Sequence, residues 1–422
     1  MNRPFYFLIV LVLTFGGIHS AWADDGVDFD DTEFDDVVFE DETSSSNWFM
    51  ENVTLELGHS LSTSRNSDWN LIGNKTTGKL GWSSSLATAL YTELEGQLDL
   101  YWGDDLKASD EYDARFTNAF IQSSVGNFSS KLGYFTLGWG EVEGSQVLDV
   151  INPTASITSG SMDISGESQL LLSTDIYMGA STTRLFINLA PEVASLPIPL
   201  LTAKSTDELE YGGQLKLSMA GSDIAFYLAQ LLPNTPVINT ATNETQANPF
   251  SLVGVSMNRT LGKMLLKGDL AYKQGLEIID SSVTTGPVSI DRVDYAVGVE
   301  YGFSDGKQLV VTLNNKQTLD FKQSYLALPD LFGAPAIKAE EHASQMMLSF
   351  SDSYLNETLS LDGGAMTSLN SEMTMLFSQL DYSLSDRWSV NGSLVIAFAD
   401  PESMFASYDQ EVMISAGATW SN

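Results

Sequence analysis

The residues able to do chemistry in this 422-residue chain are mostly carboxylates: 55 Asp and Glu stand against 20 Lys and Arg, for a formal net charge of −35, with three histidines and no cysteine. Without thiols there is no disulfide framework, thiolate metal site or thiol nucleophile. Three histidines leave little material for imidazole chemistry, and the acidic balance denies the chain the basic face of a nucleic-acid binder. His59 is followed by Ser60 and Ser62, but alternation places both serines opposite His59 and leaves no proton-transfer pair. No phosphate-binding glycine loop and no paired-carboxylate cleft is legible, so no catalytic residue, metal or cofactor is expected.

Two sets of charges remain, and both suit the handling of ions better than bond making. The first belongs to the stretch KLGYFTLGWGEVEGSQVLDVINP, residues 131–153, and the segment after it. Gly138, Gly140 and Gly144 permit sharp turning, and Asn152-Pro153 ends strand pairing. A loop of this kind folded into a pore would present Glu141, Glu143, Asp149, Asn152 and Asp163 as a constriction. The alternative is a loop latched to a wall or covering a rim. The second set is spaced by twos along extended segments: Glu93, Glu95, Asp99, Arg115, Lys131, Lys267, Asp269, Arg292, Asp294 and Glu300, together with Glu56, Asp113, Glu210, Lys216 and Lys273. Acids outnumber bases among them, and acidic rings favour cations. Pairing among these charges would instead cancel the preference.

The elements that position these residues are strands. In 88–102, Leu90, Leu94, Leu98, Leu100 and Trp102 share one face, against Tyr91, Glu93, Glu95, Gln97 and Asp99 on the other. The same code recurs in 209–219, 264–272 and 291–303, with lengths able to cross a bilayer. Short polar turns are expected at Ser83–Ser85, Gly126-Asn127, Gly179–Ser181, Gly221–Asp223, Leu261-Gly262, Ser304–Gly306, Leu355-Asn356 and Ser385-Asp386. Longer connections lie between them, near 61–71, 103–111, 140–167, 191–208, 233–249, 275–289, 319–342, 368–371 and 399–408. Eight short and nine long connections imply an all-β chain: a transmembrane antiparallel up-and-down β-barrel of about 18 strands (16 to 18), with short periplasmic turns and long extracellular loops.

The amino terminus sets the compartment. Arg3, the apolar run Pro4–Gly17 and Ala21-Trp22-Ala23 form a signal peptide over 1–23. Residues 24–46 hold 11 acids and no base, which predicts a disordered acidic periplasmic tail. That tail is a spacer or a contact for a periplasmic protein partner. The barrel is expected over 47–422. Its last strand alternates Val412, Ile414, Ala416, Ala418 and Trp420 against Glu411, Ser415, Gly417 and Thr419. This resembles the terminal signal of outer-membrane proteins, except that Ser421 and Asn422 follow the aromatic residue.

The Trp139-Gly140-Glu141 turn with Gly144, followed by Val147-Leu148-Asp149 and Asn152-Pro153, resembles a group of porin-like bacterial outer-membrane β-barrel proteins with a W-G-E/D-x-x-G loop and a V-L-D-x-x-N-P segment. The match spans the 23 residues 131–153; elsewhere the resemblance is the barrel pattern alone. Barrels of about 16 to 18 strands leave an aqueous channel. The expectation is therefore a porin-like channel in the bacterial outer membrane, passing small solutes by diffusion with weak cation preference. Seven arginines, one of them in the leader, argue against export of an acidic polysaccharide. Two loops are unusually apolar: 191–201 carries Val193, Leu196, Ile198, Leu200 and Leu201, and 325–337 carries Leu326, Leu328, Leu331, Phe332 and Ile337. They suggest a plug or lid, or else a path for hydrophobic small molecules. An outer-membrane scaffold is the third reading. The outward faces show no polar seam that would mark a subunit interface.

Overall fold

The computed structural model describes residues 52–65, 69–102, 112–142, 145–152, 166–193, 202–203, 208–242, 244–284, 286–303, 306–330, 336–370, 373–399 and 409–422. The leader, the acidic tail, Glu143, Asp163 and the expected loop at 103–111 lie outside the described residues. So do residues 194–201, Leu331, Phe332, Pro335 and most of 399–408.

Eighteen antiparallel strands form one closed sheet. They are β1 (Val53–Arg65), β2 (Trp69–Ala87), β3 (Leu90–Tyr101), β4 (Tyr112–Val125), β5 (Phe128–Phe135), β6 (Gln169–Met178), β7 (Ser181–Ala190), β8 (Glu210–Met219) and β9 (Ser222–Leu231). The second half comprises β10 (Phe250–Leu261), β11 (Met264–Asp280), β12 (Val288–Gly302), β13 (Gln308–Thr318), β14 (His342–Tyr354), β15 (Leu359–Ser368), β16 (Met373–Ser385), β17 (Trp388–Ala399) and β18 (Glu411–Ser421). Each strand pairs with the next, and β18 returns to β1 in the register Glu56↔Ser421 to Arg65↔Val412. The residue after the terminal aromatic strand tightens this closure: Leu55 N–H donates to Asn422 Oδ1 at 2.9 Å, and Asn422 Nδ2 donates to the Val53 carbonyl at 3.1 Å.

Alternation decides which face is which. Leu94 and Leu98 are 47% and 42% exposed, while Asp99 on the opposite face is 1% exposed. Exposed Leu, Val and Met recur around the outside, with Trp102, Tyr112 and Phe398 near the long-loop ends and Phe128, Tyr177 and Trp388 near the short-turn ends. An apolar band edged by aromatic residues is the surface a bilayer requires of a barrel. Tight turns hold the other end. Gly126, Gly179, Gly221 and Gly262 take φ of 56°, 63°, 72° and 65° there, a region in which a side chain is strained.

The structure corrects some connections. The expected turn at Ser83–Ser85 lies within β2, where these serines pair with Glu93, Thr92 and Tyr91; the chain reverses at Thr88-Ala89 instead. Serine tolerates strand geometry, and no glycine or asparagine there supplies a positive φ. The 61–71 connection shrinks because β1 continues to Arg65 and β2 begins at Trp69. β11 outruns its expected end at 275 through a bulge at Gly275 (φ 88°), beyond which Ile279 and Asp280 pair with Leu326 and Tyr325. Of the apolar 325–337 loop, Tyr325 is buried and packs edge-on against Phe321 with ring centroids 5.7 Å apart.

A charge placed on the outer band tests this orientation. Leu94→Arg, about midway along a membrane crossing, is expected to destabilise the barrel by ~2–4 kcal/mol. Urea refolding in phospholipid vesicles measures the loss, and an unchanged midpoint would mean that Leu94 does not face lipid.

Candidate functional site

Residues 136–142 and 145–152, which follow β5, turn back against the inner face of the wall rather than outward. Leu137, Trp139, Val142, Val147, Leu148 and Ile151 are each at most 5% exposed. They form the apolar cluster that also contains Phe186, Tyr227, Leu252 and Ala271. The wall makes room for them with small inward residues on β8 to β12: Gly212, Ala225, Gly254, Ser256, Ala271, Ala296 and Gly298. A Cβ at Gly254 would collide with Leu148, and one at Gly298 would stand 3.5 Å from Val142. Trp139 sits with its ring 5.1 Å from those of Phe186 and Tyr227.

Polar contacts fix the same seat. Asp269 on β11 accepts the Glu141 backbone N–H at 3.0 and 3.2 Å and the Val142 N–H at 3.0 Å. The Tyr227 hydroxyl accepts from Gly140 N–H at 3.3 Å, and Lys273 Nζ donates to the Gln146 carbonyl at 3.3 Å. Asn152 closes the loop on itself, donating to the Leu137 carbonyl at 3.0 Å and accepting its N–H at 3.1 Å. Glu141 accepts from Asn258 Nδ2 at 2.7 Å and lies 3.8 Å from Lys216 Nζ. Asp149 is enclosed, and its Oδ1 has no hydrogen-bond partner. Burial, and then the nearby Asp269 carboxylate, push its carboxyl up to about 7, against the pull of a hydrogen bond from the Trp139 backbone.

Most of the remaining lining charges pair with neighbours on their own wall. Asp99 accepts from Thr77 Oγ1 at 2.6 Å and Gln97 Nε2 at 2.8 Å, with Arg115 at 3.6 Å and Lys75 at 3.9 Å. Arg115 also meets Asp113, and Lys267 pairs with Glu300. Arg292 grips Asp294 with two hydrogen bonds of 2.7 and 2.8 Å, and Lys273 reaches the same carboxylate at 2.7 Å. Glu93 and Glu95 have neutral partners, the Tyr91 and Thr117 hydroxyls. Lys131 lies over the Phe120 and Phe135 rings, 3.5 and 4.4 Å from their centroids. Of the candidate acids of the loop, Glu141 and Asp149 are thus brought to β8–β11, whereas Glu93, Glu95, Asp99, Arg115 and Lys131 lie on β3–β5. Tyr227 and Asn258, which help hold the loop, escaped the sequence reading. The run of small inward residues on β8–β12 was the signal for their partner.

A closed barrel of eighteen strands, lipid-faced outside and polar within, is the architecture of outer-membrane porins. No protein-family model matches the sequence, and no curated protein matches it. Among solved structures the chain is similar to OccAB1 of Acinetobacter baumannii (TM-score 0.55, 10% identity, covering 91% of this chain and 99% of that one). It is likewise similar to OccK2 (OpdF) of Pseudomonas aeruginosa (TM-score 0.55, 11% identity, 88% and 98% covered), a structure solved in complex with glucuronate. At such identities the likeness is one of fold.

The enclosed Asp149 makes loop seating depend on pH. Its folded-state value of about 7 exceeds that of about 4 in an open chain, so the seat is firmest below about pH 4 and weakens as pH rises towards 7. Amide protection factors in 136–142 and 145–152, that is, exchange rates relative to the open chain at the same pH, are expected to be lower at pH 8 than at pH 5, with the difference reduced in Asp149→Asn. An undiminished difference in that variant would remove Asp149 from the account.

Proposed function

We propose that this chain is an outer-membrane channel through which small solutes diffuse passively, with the 136–152 loop as its inner constriction and a weak preference for cations. The observation that carries the reading is the loop itself: it occupies lumen cross-section and is held to the inner wall by Asp269, Tyr227 and Lys273. A barrel of this strand number is wide enough for water without the loop, and a loop so anchored narrows the passage. Glucuronate in the similar OccK2 barrel sets the size of solute to try first.

Cation preference rests on what pairing leaves over. Lys216, Lys267, Lys273, Arg115, Arg184 and Arg292 each lie within 4 Å of a carboxylate. Glu93 and Glu95 are hydrogen-bonded by hydroxyls rather than by bases, so their charge is only partly offset, by the field of Lys131 on Glu93. Carboxylates along a pore raise the local cation concentration. Against this stands the basic wall of Lys273, Arg292 and Lys316 around the single Asp294, which keeps the preference small.

Single-channel recording in a planar bilayer under a potassium chloride gradient tests both parts. Stable openings with a reversal potential of cationic sign are expected, moving towards zero in Glu93→Gln/Glu95→Gln. A silent barrel would reject the channel, and an anionic reversal potential would reject the assigned selectivity while leaving the channel standing.

A further inference from the structure

The lumen wall away from the seated loop is of different composition. Met347, Met366, Met373, Met375 and Met413 are each at most 8% exposed, and with Val395, Ala397 and Ala399 they pack against Ile72 and Phe377. Five of the chain's 14 methionines gather here, while the larger apolar cluster around the loop contains none. On the same strands the lipid face carries leucine at 348, 361, 376, 380 and 394 and a single methionine, Met346. The thioethers are thus concentrated on one inner wall.

Strand register lines three of them up. Met347 pairs with Met366 across β14–β15, Met366 with Met375 across β15–β16, Met375 with Ala397 across β16–β17, and Ala397 with Glu411 across β17–β18. Directly opposed residues stand with Cβ atoms about 4.5–5.5 Å apart, and the unbranched methionine side chain can swing its sulfur through three rotatable bonds. The Met347, Met366 and Met375 sulfurs can therefore reach a single ion between them. Ala397 stands between Met375 and Glu411 in the register.

We propose that this row binds a soft monovalent cation, Cu(I) or Ag(I), through the thioethers of Met347, Met366 and Met375, with Glu411 supplying counter-charge. Thioether sulfur prefers soft ions and holds sodium, potassium or magnesium poorly. The row lies near the long-loop ends of its strands: Met375 is the third residue of β16 and Glu411 the first of β18. The site stands on the barrel's register alone, so it survives even if the channel proves closed.

The test uses the folded full-length protein in detergent, in chloride-free nitrate buffer, titrated with Ag(I) by calorimetry and by equilibrium dialysis with metal analysis. Saturable uptake of about one ion per chain is expected, undiminished by excess sodium. Met347→Leu/Met366→Leu/Met375→Leu keeps side-chain volume and removes sulfur; it is expected to weaken binding at least ~tenfold. Met219→Leu/Met257→Leu, on the lipid face, should leave binding unchanged. No saturable uptake by the unaltered protein, or equal uptake by the triple variant, overturns the proposal and leaves the methionines as apolar packing. If the triple variant fails to fold, Met366→Leu at the centre of the row is read by the same criteria.

Discussion

Hydrocarbon offers no hydrogen-bond partner to a backbone amide, and every other feature of this molecule depends on how that requirement is met. Each strand finds partners in its two neighbours, and the pairing of β18 with β1 leaves no free edge. Once the sheet is closed, each side chain is committed to lipid or lumen by its parity along the strand. The leucines of one parity and the charges of the other are two readings of the same backbone. With eighteen strands the enclosed space is too wide for wall side chains to fill, and a further element, the loop after β5, occupies part of it.

That element brings its own polar backbone into a partly apolar interior, where unpaired amides are costly. The wall answers with Asp269, whose carboxylate takes N–H groups from Glu141 and Val142, and with hydroxyl and ammonium groups from Tyr227 and Lys273. The acidity of the chain thus has a structural use besides any effect on ions. Asp99 and Asp294 follow the same logic: buried, they are surrounded by donors and bases from adjacent positions of the wall. Charges that pair sideways along a wall contribute less to the potential on the axis than their number suggests.

Most of the architecture was legible because period-two alternation reports burial directly, and turn residues such as Gly126, Gly179 and Gly262 mark reversals by their backbone freedom. Serine gives no such mark, which is why Ser83–Ser85 reads as a turn while pairing as strand. The Gly275 bulge was equally hidden: the inserted residue changes the parity of everything after it, and a single glycine does not announce that. The loop's glycines and Asn152-Pro153 identified a special segment. Its destination depended on a surface assembled from five strands, whose small inward residues look individually like ordinary alternation. The methionine row is a matter of register between strands, and no single strand contains it.

The hydrogen bond between Glu141 and Asp269 joins positions 128 residues apart, and this carries a consequence for timing. The loop leaves the sheet after β5, but its acceptor lies on β11. Until β11 has joined the sheet, Val147, Leu148 and Ile151 have no wall to cover them. Loop-closure entropy makes so distant a contact slow to form, though the added cost of length is modest. Docking of the loop is therefore a late event, and a barrel arrested at its midpoint would expose a greasy segment that the finished one hides.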